Sequence, residues 1–296
     1  MELKDLMDGN CYHICTNGQE TPLLMRDEDD YRIACVYLAL VSWKLNIDVL
    51  AYIVMSNHVH VVVNCGERKD ADKYIRLYKQ RLSLYLKHKY GDEKVFHGVT
   101  DSITLVDSLR YFQNCIAYVL RNAICANVCK RIEDYPWSSY HAYFRSKSAF
   151  VKSITSLNAR EKRLLLRTND SLRGCPFLID NNGRIEDRSF VRYDVVEAAF
   201  KSSSRAFIYF LGTCNDSKME YEMALKPLVH VNDMEMMAQA ERLASSRFVG
   251  KTLSDLTASN KCTMVKALYF NNKTSIPQLS RILGLSREVV AKILTY

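Results

Sequence analysis

The chain lacks an apolar run long enough to cross a bilayer. Its longest, Ile33 to Val41, falls well short of the roughly 20 residues a spanning helix needs. It also lacks the opening of a secreted protein, since MELKDLMDGN carries mixed charge and leads into no apolar stretch. No membrane partner is expected, and the expected compartment is cytoplasmic. CxxC pairs are missing too. The ten cysteines are scattered, and Cys11/Cys15 and Cys125/Cys129 are CxxxC spacings with no second pair nearby. That argues against a zinc site and for reduced thiols packing as small hydrophobes. Neither an internal repeat nor a low-complexity segment is visible.

What is present suits a globular protein, 48% hydrophobic and 25% charged, with length enough for two domains. The formal charge is +8 and unevenly placed. Lys251 to Tyr296 holds seven Lys/Arg against Asp255 and Glu288, a net +5. A basic excess favours a polyanionic partner.

Patterning predicts a strand over Cys11–Thr16, closed by an Asn17-Gly18 turn, then a helix from an Asp27 cap to about Lys44. Two β-branched runs follow, Ile47–Val54 and His58–Val63, joined by a tight hairpin at Ser56-Asn57. Ala71–His88 has helical spacing, with Ile75, Tyr78 and Leu82 on one face and Lys73, Arg76, Gln80 and Lys87 on the other. A strand around Ser102–Leu105 precedes an amphipathic helix marked by Leu109, Phe112, Ile116, Val119 and Ala123. The order β-α-β-β-α-β-α predicts an α+β fold, a ferredoxin-like antiparallel sheet with helices on one face. Residues 146–250 read as a mostly helical region of unknown role (Ala159–Arg167, Tyr193–Phe200, Asn232–Arg247) with a turn at Asn181-Asn182-Gly183. Residues 251–296 read as a trihelical, helix-turn-helix-like end: Lys261–Phe270, Ile276–Leu283 and Arg287–Leu294, with Ser275 and Ser286 as caps and Gly284 at the turn.

The chemistry concentrates in MSNHVHVVV, Met55 to Val63. On a strand His58 and His60 share one face while Val59, Val61 and Val63 take the other. Two imidazoles so placed can bind one divalent metal, or simply line a partly exposed strand. Downstream, Tyr118 and Asn122 are i and i+4 on one helix face, beside the apolar stripe. Residue chemistry alone does not choose a nucleophile among 18 tyrosines, and Tyr111, two turns earlier on the same rail, is the rival.

Two ordered motifs give a family resemblance. YIVMSNHVHVVV resembles the histidine–hydrophobic–histidine strand of the HUH nucleases, specifically the single-tyrosine insertion-sequence transposases and their REP-associated branch. There the usual text is Met-Pro-Asn-His-Val-His, and this chain has Ser56 for the proline. AYVLRNAICANVCKRIEDYPWSSYHAY, Ala117 to Tyr143, resembles that family's tyrosine helix followed by Asp-Tyr-Pro-Trp-Ser-Ser-Tyr. Tyr12-His13 and Asp27–Asp30 fit its opening strand and helix. The resemblance covers roughly residues 10–145 and implies a nuclease domain at 1–145. Tyr118 would be the nucleophile, and His58, His60 and Asn122 the ligands of Mg²⁺ or Mn²⁺. The implied activity is nicking and joining of single-stranded DNA at hairpin or palindromic ends through a 5′-phosphotyrosine. The family's Asn-Pro is Asn122-Ala123 here, so the helix is free to run on and aim Asn122 elsewhere.

Softer expectations complete the picture. Lys73, Arg76 and Lys87 could track a DNA backbone or form a solvated face. Ser286, Arg287 and Lys292 would face a major groove if Arg287–Leu294 is a recognition helix, adding duplex DNA as a partner. Trp137 and Tyr140 could stack on bases or pack in the core. Two alternatives stand: a DNA-binding regulator that keeps the fold without cutting, and a metal hydrolase of another substrate. No acidic cluster accompanies the histidines to support the latter.

Overall fold

The computed structural model describes residues 2–18, 21, 23–91, 95–126, 128–145, 151–213, 233–272, 274 and 276–295. Four antiparallel strands form the central sheet: β1 (Asn10–Thr16), β2 (Asp48–Val54), β3 (Val59–Cys65) and β4 (Asp101–Val106). Their order is β2-β3-β1-β4, the ferredoxin-like arrangement that the element order predicts. Register pairs Cys15 with His60 and His13 with Val62 across β1 and β3. The other pairings put Ile14 against Ile103 and Val54 against Val59.

Helix α1 (Glu28–Leu45) starts where its cap predicts. Asp27 accepts the Asp30 amide, and Asp30 returns to the Asp27 amide, so two orphan donors of the first turn are satisfied reciprocally. Helix α2 (Arg68–Tyr90) ends at Gly91, whose φ of 75° permits the left-handed cap. The two helices share one face of the sheet. Cys35 of α1 meets the Tyr52 hydroxyl, Tyr78 of α2 lies against Cys35, and Tyr74 donates to the Leu38 carbonyl at 2.9 Å. Helix α3 (Leu109–Cys125) lies across the opposite face, with Cys115 near Cys11 and Asn122 on His60. Strand β3 is therefore buried along its whole length, and Val61, Val62 and Val63 are inaccessible to solvent. Full burial of each is worth about 1.5–3 kcal/mol.

The Asp134–Tyr140 motif closes an edge. Ser138 bridges Ile53, the Val54 amide donates to the Trp137 carbonyl at 2.9 Å, and the Tyr52 amide donates to Ser139 Oγ at 2.9 Å. The outer side of β2 thereby gains the partners that an open strand edge would leave exposed.

Residues 151–213 fold onto this unit. They contain the ribbon β5 (Lys152–Ser153) and β6 (Leu178–Ile179), with α4 (Ala159–Leu165), α5 (Asp187–Phe190), α6 (Tyr193–Ala199) and α7 (Ser204–Thr213). The turn at Asn181-Asn182-Gly183 is present, with Gly183 at φ 82°. Tyr52 donates to buried Asp187 at 2.6 Å, Arg184 pairs with Asp187 at 3.1 Å, and Val191 bridges Val49. One hydrophobic cluster runs from Leu3 to Leu211.

A second cluster spans Met236 to Val290. It joins α8 (Asp233–Arg247) to α9 (Ala258–Asn272), α10 (Ile276–Leu283) and α11 (Arg287–Thr295). Met236, Ala240 and Ala244 form the buried stripe of α8, so this helix belongs with the trihelical end. Gly284 turns between the last two helices at φ 64°, and Ser286 Oγ accepts the Val289 amide at 3.3 Å. The first cluster continues past residue 145, and the second begins before residue 250. Asn232, Ser275 and Tyr296, which the sequence reading placed in helix starts or domain ends, lie outside the described residues. Among the described residues no helix is long and apolar enough to cross a membrane.

Candidate active site

The site forms where the α3 face of the sheet meets α3. His60 lies on β3, while His58 closes the β2–β3 hairpin, one residue before the strand begins rather than within it. The hairpin is held by the Met55 amide donating to the His58 carbonyl at 2.8 Å. The two imidazoles lie close all the same, with centroids 5.0 Å apart and planes at 85°.

Asn122 reaches the same place from α3. Its Nδ2 is 3.1 Å from His60 Nε2. The helix continues past Asn122-Ala123 to Cys125, yet Asn122 stays aimed at the histidines. The Tyr118 ring meets His60 edge-on at 5.4 Å, and Tyr118 is 3% exposed. The rival Tyr111 sits two turns away, near Cys115, Asp107 and Cys11, with burial pushing its phenol up to about 12.

Both histidines are held neutral. Burial lowers His58 to about 4, with Asp233 raising it and Arg281 of α10 lowering it in smaller measure. Burial, then the neighbouring His58 and His13, hold His60 well below its ordinary range. Neutral imidazoles need release no proton to ligate a metal. His58 Nδ1 is 2.8 Å from Asn57 Oδ1, and Asn57 Nδ2 donates to the Gly18 carbonyl at 2.6 Å. Donation from Nδ1 leaves His58 Nε2 as the lone pair.

The donor set fits a divalent cation. Asn122 Oδ1 is fully buried without a hydrogen-bond partner among the described residues, the condition expected of an acceptor meant for a ligand. Two imidazoles and one amide oxygen suit a cation of intermediate hardness. Among the described residues no group of three His, Cys, Asp or Glu side chains is arranged for a metal.

Three neighbours escaped sequence reasoning as site residues. His13 Nε2 is 3.1 Å from His60 Nδ1, and Cys15 Sγ is 3.8 Å from His60 Nε2. Gly18 packs so tightly that a Cβ there would stand 2.7 Å from His58 Nδ1. The period-2 alternation of β1 puts His13 and Cys15 on one face, but only the register with β3 shows that this face is His60's.

The other expected residues lie apart. Lys73, Arg76 and Lys87 are exposed on the solvent side of α2, so the sheet stands between them and Tyr118. Ser286, Arg287 and Lys292 are exposed at the start and along the outer side of α11. Trp137 stacks on Tyr31 at 5.4 Å and Tyr140 on Phe207 at 6.3 Å, which favours packing over base stacking.

A ferredoxin-like sheet with His60 on β3 and His58 in its hairpin is thus faced by a helix that carries Tyr118 and Asn122. Residues 12–100 match the family model described as "Transposase IS200 like". The match takes in His13, His58 and His60 and stops before Tyr118 and Asn122. A solved structure described as "Structure of the REP associates tyrosine transposase bound to a REP hairpin" is similar at 16% identity and a TM-score of 0.37. It covers 46% of this chain and 79% of that one. No curated protein matches the chain.

Proposed function

We propose that the protein is a transposase-like, metal-dependent endonuclease and strand transferase acting on single-stranded DNA at hairpin or palindromic ends. The observation that carries this reading is the gathering of Tyr118, Asn122, His58 and His60 in one cluster, from a helix and a hairpin far apart in sequence.

In this reading His58, His60 and Asn122 hold Mg²⁺ or Mn²⁺. When bound, the cation supplies charge to polarise the scissile phosphate. Tyr118 Oη attacks phosphorus as the P–O3′ bond breaks. The phenolic proton is lost to solvent, and the departing 3′ oxygen gains one. The products are a 5′-phosphotyrosine and a free 3′-OH, and attack by another 3′-OH reverses the link without ATP. Residues 1–145 form the nuclease, supported by 151–213. The helical end takes duplex DNA through Ser286, Arg287 and Lys292, in the manner of a helix-turn-helix. The Lys73, Arg76 and Lys87 rail serves DNA only away from the chemistry.

The test is a denaturing gel of protein mixed with end-labelled single-stranded hairpins and Mg²⁺ or Mn²⁺. Wild type and Tyr111→Phe give a covalent adduct, and Tyr118→Phe gives none while still binding DNA. Adduct from Tyr118→Phe but not from Tyr111→Phe moves the nucleophile to Tyr111. A wild type that binds hairpins yet never forms adduct makes the non-cutting regulator the better account.

A further inference from the structure

We propose that His13 is a positioning residue for the metal centre: its Nε2 accepts the Nδ1–H of His60 and so fixes the His60 tautomer whose Nε2 lone pair faces Asn122. This rests on the reading of His60 as a metal ligand, and it adds a residue outside the His–hydrophobic–His pattern.

The register brings the two rings together. Cys15 lies opposite His60, and His13 lies two residues along the same face of β1, a diagonal neighbour within reach of a long side chain. The rings are parallel within 7°, their centroids 5.3 Å apart, with His13 Nε2 and His60 Nδ1 3.1 Å apart. His13 is 1% exposed.

Proton counting then fixes the chain of bonds. A neutral imidazole has one N–H and one lone pair. Asn122 Nδ2 can only donate, so His60 Nε2, 3.1 Å away, accepts. The His60 proton therefore sits on Nδ1, His13 Nε2 must accept it, and the His13 proton lies on its own Nδ1. A cation at His60 Nε2 demands the same tautomer. The His60 tautomer of the metal-free protein is thus the one that a cation at Nε2 would need. Outer partners of this kind commonly matter by about 10–100-fold in metal affinity.

The experiment uses the full chain with ¹⁵N-labelled histidine, without metal, and reads the tautomer of His60 from long-range ¹H–¹⁵N spectra. In the wild type the proton is on Nδ1. His13→Phe keeps a ring but removes the acceptor, and the single Nδ1–H pattern is lost. His13→Gln places Oε1 near the position of Nε2, and the pattern is kept. Calorimetry with Mn²⁺ then shows affinity about 10–100-fold weaker for His13→Phe and largely recovered for His13→Gln. Protonation of His60 on Nε2 in the wild type, or one tautomer in all three proteins, overturns the proposal. Failure of the wild type to bind Mn²⁺ overturns the metal reading instead, and the metal-free spectra still decide the part played by His13.

Discussion

Acid should loosen this protein through its buried histidines. His13 and His58 have their protonation pushed down to about 4 by burial, against about 6.5 in an unfolded chain. The folded state refuses a proton that the unfolded state accepts. Their contribution is therefore full above pH 6.5 and is lost as pH falls toward 4. At pH 5 each ring costs about 2 kcal/mol, so the pair costs about 4, a large part of the ~5–15 kcal/mol that holds a typical domain. His60 shifts in the same direction and adds to the loss. The assay is urea unfolding at pH 7 and pH 5, followed by fluorescence of Trp137, which packs on the first core, and Trp43, whose ring meets Phe177. His13→Gln removes one titrating ring while keeping an acceptor for His60. Its loss between the two pH values should be about 2 kcal/mol smaller than the wild type's, or about 1 M urea in midpoint for an m of about 2 kcal/mol/M. Equal losses in the two proteins would refute the reasoning, because they would show that His13 takes a proton as readily folded as unfolded.

Other outcomes follow from the same structure. Gly18→Ala puts a methyl 2.7 Å from His58 Nδ1, so Mn²⁺ affinity should fall in calorimetry while the unfolding midpoint moves little; unchanged affinity would mean the loop yields freely. Asp187→Ala strips Arg184 and Tyr52 of a buried partner and should cost about 3–5 kcal/mol in urea unfolding; a loss under 1 kcal/mol would show that residues 151–213 are held mainly by apolar packing. Removing residues 233–296, rather than 251–296, takes away α8 with the helices it packs against. That truncation should flatten the salt dependence of DNA binding while adduct formation on a short hairpin persists, and an unchanged slope would leave the helical end as a packing module.

The elements of residues 10–125 were legible because each carries local signals. The Asp27 cap, the 3-4 stripe of α3 and the alternation of β1 act between residues near in sequence, and the observed boundaries differ by at most three residues. The Tyr118–Asn122 spacing was legible for the same reason, since the helix period fixes which neighbours share a face, and His58 and His60 are near in sequence although His58 falls in the hairpin. Their meeting was not. It depends on α3 lying across the sheet face opposite α1 and α2, and no local pattern dictates which face a helix covers when β3 is apolar on both. The same applies to His13, which becomes a partner of His60 only through the β1–β3 register. It applies also to the Lys73, Arg76 and Lys87 rail, which a helical wheel makes basic and only the layer order separates from Tyr118. The partner of α8 was hidden as well. The stripe Met236, Ala240 and Ala244 announces that α8 buries a face, but the partner that face chooses is a matter of tertiary packing, where apolar contact carries no address in the sequence.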